Sequence, residues 1–401
     1  MRIAHLTDYY LPRLGGVEMH VHDLATRQQE AGHDVTVITS SARPAGLRRR
    51  DPAMREDGNG PRVLRPTERM AFPTTLNPGG IAAGRRLARY GKYDVVHVHA
   101  GPFTPLAVAG ATLAARIPTV VTVHSLISYM EPAFRVLDAA TGWSALPAVW
   151  TAVSDTAAEP VRRLVSPAPV FVLPNGIDAQ EWRVDPLPRT PGEVLVVAVM
   201  RLAPRKRPHH LLRILRRARA ALGPSAGLRA VIVGDGPERR SIDRYLRRHA
   251  MTGWVELPGR LERDGIRALF RRADLFVAPA VLESFGIAAL EARCAGLPVI
   301  ARTEGGIGEF VTDGQDGLLA ASDAVMADAI VRLASDEALR ARMAARARAV
   351  QPPVTWPGVL RHTEDLYGLA MERLDRAPDG RLDGGADRAV RAMSGDELRS
   401  L

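Results

Sequence analysis

Two carboxylates eight residues apart, Glu283 and Glu291, flank the point where an apolar run gives way to a helical pattern: Pro279-Ala-Val-Leu-Glu283-Ser-Phe-Gly286-Ile-Ala-Ala-Leu-Glu291. A strand ending near Pro279 and a helix starting near Gly286 would aim the backbone N–H groups of Ser284, Phe285, Gly286 and Ile287 at one spot. Such a helix N-terminus is a ready anion site. Glu283, just before the helix, can accept hydrogen bonds from sugar hydroxyls. Glu291, about two helical turns further on, can do the same for a ribose. The plainer reading makes Glu283 a helix cap and Glu291 a surface acid. Hydroxyl-accepting groups on both sides of an anion site favour a ligand with hydroxyls at both ends and negative charge in the middle.

Two other strand exits point the same way. An apolar strand over 194–199 runs into Arg201-Leu-Ala-Pro-Arg-Lys206. Ligands of open parallel sheets bind beyond the carboxyl ends of the strands. Arginine grips a phosphate through two parallel N–H bonds, and lysine adds a compact charge. Alone, these cations read equally well as a solvated loop. A strand over 229–233 exits into Gly234-Asp235-Gly236-Pro237. Its glycines would let backbone approach a ligand, although a tight turn is the favoured reading when the loop stands alone.

These loops need a parallel sheet behind them. Strands are expected over 2–6, 35–38, 95–98, 119–123, 148–153 and 170–173, then over 194–199, 229–233, 255–257, 275–278 and 298–301. Helical patterns over 17–31, 106–115, 208–222, 238–248, 263–271, 286–295 and 322–349 alternate with them. The Pro-rich stretch 185–192 is the expected linker. Residues 41–70, with eight arginines against four acids, read as a basic mobile loop, and the tail from 376 reads as disordered.

The chain has 401 residues, which favours two domains. Apolar residues make up 46% and charged residues 24%, as in ordinary soluble proteins. The single cysteine, Cys294, excludes a disulfide framework or a cysteine zinc site and fits a reducing compartment. No apolar run is long enough to span a bilayer, and Asp8 comes too early for a signal peptide, so a cytoplasmic protein is expected. The net charge of +10 is carried almost wholly by arginine; the lysines are Lys92 and Lys206. This excess suits anionic partners, but the arginine pairs are dispersed and no nucleic-acid module appears, so nucleic acid is not expected. The basic stretch 84–92 reads as a helix that could lie on anionic lipid headgroups at the inner face of a membrane, or simply face solvent.

Histidines offer a metal alternative. His97 and His99 alternate on a strand and face one way; His20 and His22 lie two apart on a helix and diverge. With no neighbouring cysteine or carboxylate cluster, core or pocket-lining histidines are favoured over metal ligands.

Taken together, the segment from Glu283 to Glu291 resembles the Glu-x7-Glu signature of glycosyltransferase family 4. Arg201 with Lys206, Gly234-Asp235-Gly236-Pro237, Asn175-Gly176-Ile177-Asp178, Gly305-Gly306 with Glu309, and Gly15-Gly16-Val17-Glu18 match the same pattern. The resemblance covers about residues 1–370. It implies an α/β protein of the GT-B type: two facing Rossmann-like parallel-sheet domains with an interdomain cleft. On that basis residues 1–185 form the acceptor domain, with 355–375 crossing back onto it, and 192–350 form the nucleotide-sugar donor domain. The implied activity is hexosyl transfer from a nucleotide-diphosphate sugar with retention of configuration, UDP being preferred to GDP.

By position, the resemblance gives Arg201 and Lys206 to the donor diphosphate, Glu283 to the donor sugar, the backbone of Phe285, Gly286 and Ile287 to the donor, and Glu291 to the ribose. Gly16 and Gly234 would let backbone meet the donor, and Arg260 falls where the family's base-binding loop lies. His124, in Val121-Thr-Val-His124-Ser, matches the family's histidine beside the transferred sugar. The family commonly has Lys-Gly where this chain has Lys206-Arg207; the extra arginine either crowds or strengthens the phosphate site. Many unrelated glycosyltransferases hold a divalent metal with Asp-x-Asp, and the sequence contains no such triplet. A mechanism without metal or other cofactor is therefore expected, with protein cations stabilising the leaving diphosphate. Same-face displacement, with the leaving phosphate helping to take the acceptor proton, follows from the resemblance.

The acceptor is left open among small molecules, lipids and glycans. Gly15-Gly16-Val17-Glu18-Met19-His20 and the stretch from Val123 through Leu126 resemble enzymes that place N-acetylglucosamine on phosphatidylinositol, and the general pattern also fits bacterial transferases acting on inositol phosphate or phosphatidylinositol. Other readings are a nucleotide-sugar epimerase, a sugar phosphorylase, or a non-catalytic nucleotide-sugar-binding protein.

Overall fold

A computed structural model describes residues 1–13, 15–41, 60–65, 78–101, 104–188, 190, 192–223, 227–350 and 352–376. The chain divides into two compact units, Met1–Gly176 with Trp356–Leu401, and Ile177–Thr355.

The first unit contains β1 (Arg2–Thr7), β2 (Asp34–Thr39), β3 (Arg62–Leu64), β4 (Val95–Ala100), β5 (Thr119–Val123), β6 (Val149–Ala152) and β7 (Val170–Val172). They form one sheet in the order β3-β2-β1-β4-β5-β6-β7. Every pairing is parallel. The second unit contains β8 (Glu193–Val199), β9 (Gly227–Val233), β10 (Val255–Gly259), β11 (Leu275–Ala278), β12 (Val299–Arg302) and β13 (Gly317–Ala320). Its order is β10-β9-β8-β11-β12-β13, again all parallel. Both orders follow the doubly wound pattern, in which the winding direction reverses beside the first strand. The reversal falls between β1 and β4 in the first unit and between β8 and β11 in the second.

The central strands are buried on both faces, so they read as continuous apolar runs instead of alternating ones. β5, Thr-Val-Val-Thr-Val, is buried at every position and wholly β-branched, a composition that suits a pleated surface. In the first unit, Ile3, Val35, Val95, Val120 and Val149 meet Val21, Leu24 and Ala25 of the helix Gly16–Glu30. They also meet Val359, Leu366 and Ala370 of the helix Trp356–Asp375. Trp356 itself is buried in this core and stacks on His20 with ring centroids 5.4 Å apart. It lies against Gly176 so closely that a β-carbon there would sit 2.5 Å from the indole.

Two expectations are corrected. The stretch 41–70 is not loop throughout: Arg62–Leu64 pairs in parallel with β2, burying Val63 and Leu64. Three residues at a sheet edge give too short a hydrophobic signal to stand out among arginines. The rest of the expected loop (42–59 and 66–70) and the tail beyond 376 lie outside the described residues. The division also falls before the Pro-rich stretch, at Gly176/Ile177. Ile177 bridges to Thr355, Trp182 packs on Phe270, and Leu187 donates its N–H to the Arg271 carbonyl at 2.8 Å. These contacts tie 177–187 to the second unit.

The stretch 84–92 falls largely in the helix Pro78–Tyr90, where Arg86, Leu87 and Tyr90 are exposed. No helix among the described residues is long and apolar enough to cross a membrane.

Replacing Trp356 by alanine removes a buried indole and leaves a cavity against Gly176. The expected loss is about 3–5 kcal/mol, read as a lower urea midpoint for the first unit with little change in the second.

Candidate active site

In the second unit, the strands on either side of the reversal, β8 and β11, deliver the residues of interest. The loop after β8 carries Arg201 and a short 3-10 turn, Pro204–Lys206. The loop after β11 carries Glu283. Lys206 Nζ donates to Glu283 Oε2 at 2.5 Å, both side chains being partly buried. Arg201 is exposed, and its guanidinium has no ion-pair or hydrogen-bond partner among the described residues. A lysine–carboxylate pair and an unengaged guanidinium thus sit at the carboxyl end of the sheet.

The position of Glu283 is set by a second glycine pair. Gly306 donates its N–H to the Glu283 carbonyl at 2.9 Å, and a β-carbon on Gly305 would approach that carbonyl to 3.1 Å. Gly286 has φ +92°, and a β-carbon there would lie 2.5 Å from Ile307. Only glycine meets both demands without strain. The helix begins at Ile287 and runs to Cys294. Glu283 therefore lies off the helix in an irregular segment, and the two-turn spacing to Glu291 does not describe their geometry. Glu291 is half-buried on the helix, and Phe285 is buried.

Gly234 has φ +133°, and a β-carbon there would fall 1.9 Å from the Met200 carbonyl; at Gly236 it would fall 2.4 Å from the Leu202 carbonyl. These glycines let the exits of β8 and β9 lie against each other, a packing role that needs no ligand. Arg260, after β10, is exposed 3.9 Å from Asp235 of the same loop cluster. The geometry thus gathers Arg201, Lys206, Gly234, Arg260 and Glu283 at one end of one sheet.

Arg207 has partners of its own. It adopts the left-handed conformation (φ 59°, ψ 42°) ahead of the helix Pro208–Leu222, which explains why glycine suits the position. Its guanidinium bonds both oxygens of Asp323 at 2.9 Å and the Pro279 carbonyl at 3.0 Å. Asp323 also meets Arg302 at 3.1 Å and His210 at 2.9 Å.

In the first unit, Gly16 is exposed and opens the helix Gly16–Glu30. A β-carbon on Gly15 would strike the buried Glu18 carboxylate, which pairs with Arg13 at 2.9 Å. Asp8, after β1, was not singled out from sequence. It is buried, accepts from the Leu106 and Ala107 N–H groups at 3.3 and 3.2 Å, and takes the Ser40 hydroxyl at 3.0 Å. Burial pushes its carboxyl up to about 6. A single acid before a glycine loop gives no local signal; its role depends on a helix about a hundred residues away.

His124 follows β5 and is buried, its Nε2 lying 2.9 Å from His99 Nδ1. His99 Nε2 meets His5 Nδ1 at 2.9 Å, and His5 Nε2 meets Gln28 Oε1 at 2.6 Å. His97 and His99 do share a face, their rings stacked at 4.3 Å. His20 and His22 diverge, His20 to Trp356 and His22 to the Tyr10 hydroxyl at 2.9 Å. His5, His97 and His99 bring ligand atoms within 4.8 Å of one another. Yet each nitrogen of that trio already has a hydrogen-bond partner within the protein. The trio is therefore a bonded core network, poorly suited to a metal. Burial lowers His5 to about 4 and His124 to about 3, and puts His20, His97 and His99 well below their ordinary 6.5.

Comparisons with known proteins identify the family. The family model described as "Glycosyltransferase Family 4" matches residues 14–181, and "Glycosyl transferases group 1" matches 180–350. A glycogen synthase of Mycobacterium tuberculosis is 31% identical over 95% of this chain and 98% of its own. The gpi3 subunit of the phosphatidylinositol N-acetylglucosaminyltransferase of Schizosaccharomyces pombe is 25% identical over 90% of this chain and 79% of its own. Among solved structures, Anabaena HepE in complex with UDP and glucose aligns with a TM-score of 0.71 at 20% identity, covering 92% of this chain and 99% of that one. Sucrose-phosphate synthase of Thermosynechococcus elongatus aligns with 0.73 at 22%, covering 93% and 100%. The fold is GT-B, two Rossmann-like parallel-sheet domains. The chain belongs to the group 1, family 4 glycosyltransferases, and is a hexosyltransferase that uses a nucleotide sugar.

Two outcomes follow. Arg207→Gly relieves about 1 kcal/mol of left-handed strain and gives up an ion pair whose acid keeps two other partners. The urea midpoint of the second unit should barely move and turnover should stay near wild type; a collapse of turnover would place Arg207 in the site. In the unfolded chain the five buried histidines titrate near 6.5, whereas in the fold they stay neutral to lower pH. Between those values the unfolded state binds more protons, so their stability is full above about 6.5 and drains as pH falls toward 4. Asp8 acts with the opposite sign, its raised value making stability fall as pH rises from about 4 to about 6. Going from pH 7 to 5 should cost the first unit about 2 kcal/mol for each of His5 and His124, offset by about 1 kcal/mol from Asp8, with His20, His97 and His99 acting in the same direction as the other histidines. Urea titrations at both pH values check this; equal midpoints would contradict neutral burial.

Proposed function

We propose that the protein transfers a hexose or N-acetylhexosamine from a UDP-sugar, in preference to a GDP-sugar, to an acceptor hydroxyl with retention of configuration and without a divalent metal. The observation that carries this reading is the Lys206–Glu283 pair beside the exposed Arg201, at the winding reversal of the second sheet. Cleavage of the anomeric bond builds charge on the leaving diphosphate and positive character on the sugar. Arg201, Lys206 and the first-turn N–H groups of the helix Ile287–Cys294 stabilise the former. Glu283 accepts from the sugar hydroxyls, with the amides of Phe285, Gly286 and Ile287 behind it. Glu291 takes the ribose and Arg260 the base. His124 meets the transferred sugar. The leaving phosphate accepts the acceptor proton on the face it vacates. UDP in the Anabaena HepE complex supports the preferred base.

Epimerase and phosphorylase chemistry on this fold would give epimerised donor or phosphate-dependent cleavage in place of transfer, and a non-catalytic binding protein would turn nothing over. A screen of UDP-, GDP- and ADP-sugars by thermal shift should rank UDP-sugars first, followed by a product assay with sugar and lipid acceptors. In that assay Arg201→Ala, Lys206→Ala and Glu283→Gln should each lower kcat about 100-fold while leaving the urea midpoint near wild type. EDTA should not reduce turnover. Wild-type rates in these variants, or a strict magnesium requirement, would overturn the mechanism.

A further inference from the structure

The arginine pairs at 216–217, 239–240 and 247–248 are separated in the sequence, yet the fold sets them side by side. β8, β9 and β10 are consecutive neighbours in the second sheet. Right-handed crossovers therefore place the helices Pro208–Leu222 and Arg239–Arg248 on one face of it. The two helices touch through His209, whose Nε2 lies 2.9 Å from the Ser241 hydroxyl and whose ring meets Tyr245 at 5.9 Å. Arg216 crosses from one to the other: it donates to His249 Nδ1 at 2.8 Å and lies over the Tyr245 ring. Each helix buries its apolar side, Leu211, Leu212 and Leu215 on the longer one, Ile242 and Leu246 on the shorter. The opposite sides are left to arginine.

Every exposed charged residue of these helices is an arginine: Arg213, Arg216 and Arg217 on the longer, Arg240, Arg244, Arg247 and Arg248 on the shorter. The longer helix has no acid, and the acid of the shorter, Asp243, is taken by Arg239 at 3.3 Å. Arg217 reaches Asp328 at 3.7 Å. The side chains of Arg213, Arg240, Arg244, Arg247 and Arg248 have no hydrogen-bond or ion-pair partner among the described residues. Arg213 with Arg217, Arg240 with Arg244, and Arg244 with Arg248 are like charges one turn apart, a spacing that costs helix stability. Desolvation and the charges of Arg216 and Arg248 hold His249 below its ordinary value. The face thus carries a concentrated positive field that the described residues of this unit leave largely unneutralised.

We propose that this two-helix face docks the protein onto a bilayer rich in anionic phospholipids. Neither helix contains an Asn or Gln or exposes an aromatic ring, so neither can read or stack a nucleic-acid base. Neither exposes a large apolar side chain of the kind that anchors a protein partner. What the face offers is charge spread over two neighbouring helices. Anionic lipids diffuse within their leaflet and gather beneath each guanidinium, so a bilayer needs no matching pattern to bind such a face. The inference goes beyond the proposed transfer chemistry and does not depend on it, because these arginines lie outside the loops that gather Arg201, Lys206 and Glu283. It assigns membrane contact to the second unit, in place of the basic stretch 84–92 of the first.

Vesicle flotation of the full-length protein tests this. Wild type should float with mixed phosphatidylglycerol–phosphatidylcholine vesicles and stay behind with pure phosphatidylcholine. Salt at about 0.5 M, which cuts the reach of the field to about 4 Å, should release it. Each arginine contributes about fivefold to such binding. Replacing Arg240, Arg244, Arg247 and Arg248 together by glutamine should therefore weaken it at least about a hundredfold. Arg213→Gln with Arg217→Gln should weaken it about twentyfold. Arg86→Gln with Arg89→Gln, in the first unit, should float like wild type. The urea midpoint of the second unit should not fall in any of them; if the fourfold variant does lose stability, the Arg213 and Arg217 pair decides in its place. Four results would each overturn the proposal. One is wild type that ignores the anionic vesicles, and another is unchanged flotation of the second-unit variants. The others are loss of flotation in the first-unit variant, and tighter binding of a duplex DNA oligonucleotide than of the vesicles at the same salt.

Discussion

A parallel sheet covered on both faces can offer a ligand only the ends of its strands. Both units are built under that constraint. Their strand orders reverse beside the first strand, and the loops that diverge there have no crossover helix between them. In the second unit the exits of β8 and β11 bring Lys206 to Glu283. In the first, the exit of β1 brings Asp8 to the helix after β4, and the end of β5 holds His124 against His99. Every group given a chemical role stands at or just behind one of these ends.

In the second unit the constraint is met mostly by backbone. Gly234, Gly236, Gly286 and Gly305 each lie where a side chain would collide with a neighbouring loop. Their absence of bulk lets four loops crowd together around a lysine–glutamate pair. Arg207, the departure from the family's usual Lys-Gly, shows the limit of reading charge without geometry. Its left-handed backbone leads into a helix while its guanidinium engages Asp323 and the Pro279 carbonyl, partners that the charge alone does not name.

The first unit solves a different problem. Five histidines are buried with almost no charged partner, which is tolerable only if each ring stays neutral and its nitrogens find partners. Neutral imidazole has one donor and one acceptor, so a row of them must share a sense of donation. Hydroxyls and an amide on other elements complete the network.

By itself the sequence determined most strands and helices of a doubly wound protein, missing the strand Gly317–Ala320 and the helices Glu131–Thr141 and Asp155–Val165, and it placed Arg201, Lys206 and Glu283 at strand exits. Both facts follow from local period and from glycine or proline breaks, which are written in consecutive residues. It also showed that His97 and His99 share a face, because strand alternation is local. What only the tertiary structure decided depends on residues far apart in the chain. The edge strand Arg62–Leu64 needed β2 as a template. The unit boundary at Gly176 was set by Trp182 and Leu187 packing onto later elements, and the burial of Asp8 by amides about a hundred residues on. Where the Arg207 guanidinium binds was settled by hydrogen bonds between non-neighbours. Such bonds form only once each sheet has brought its own strand ends together.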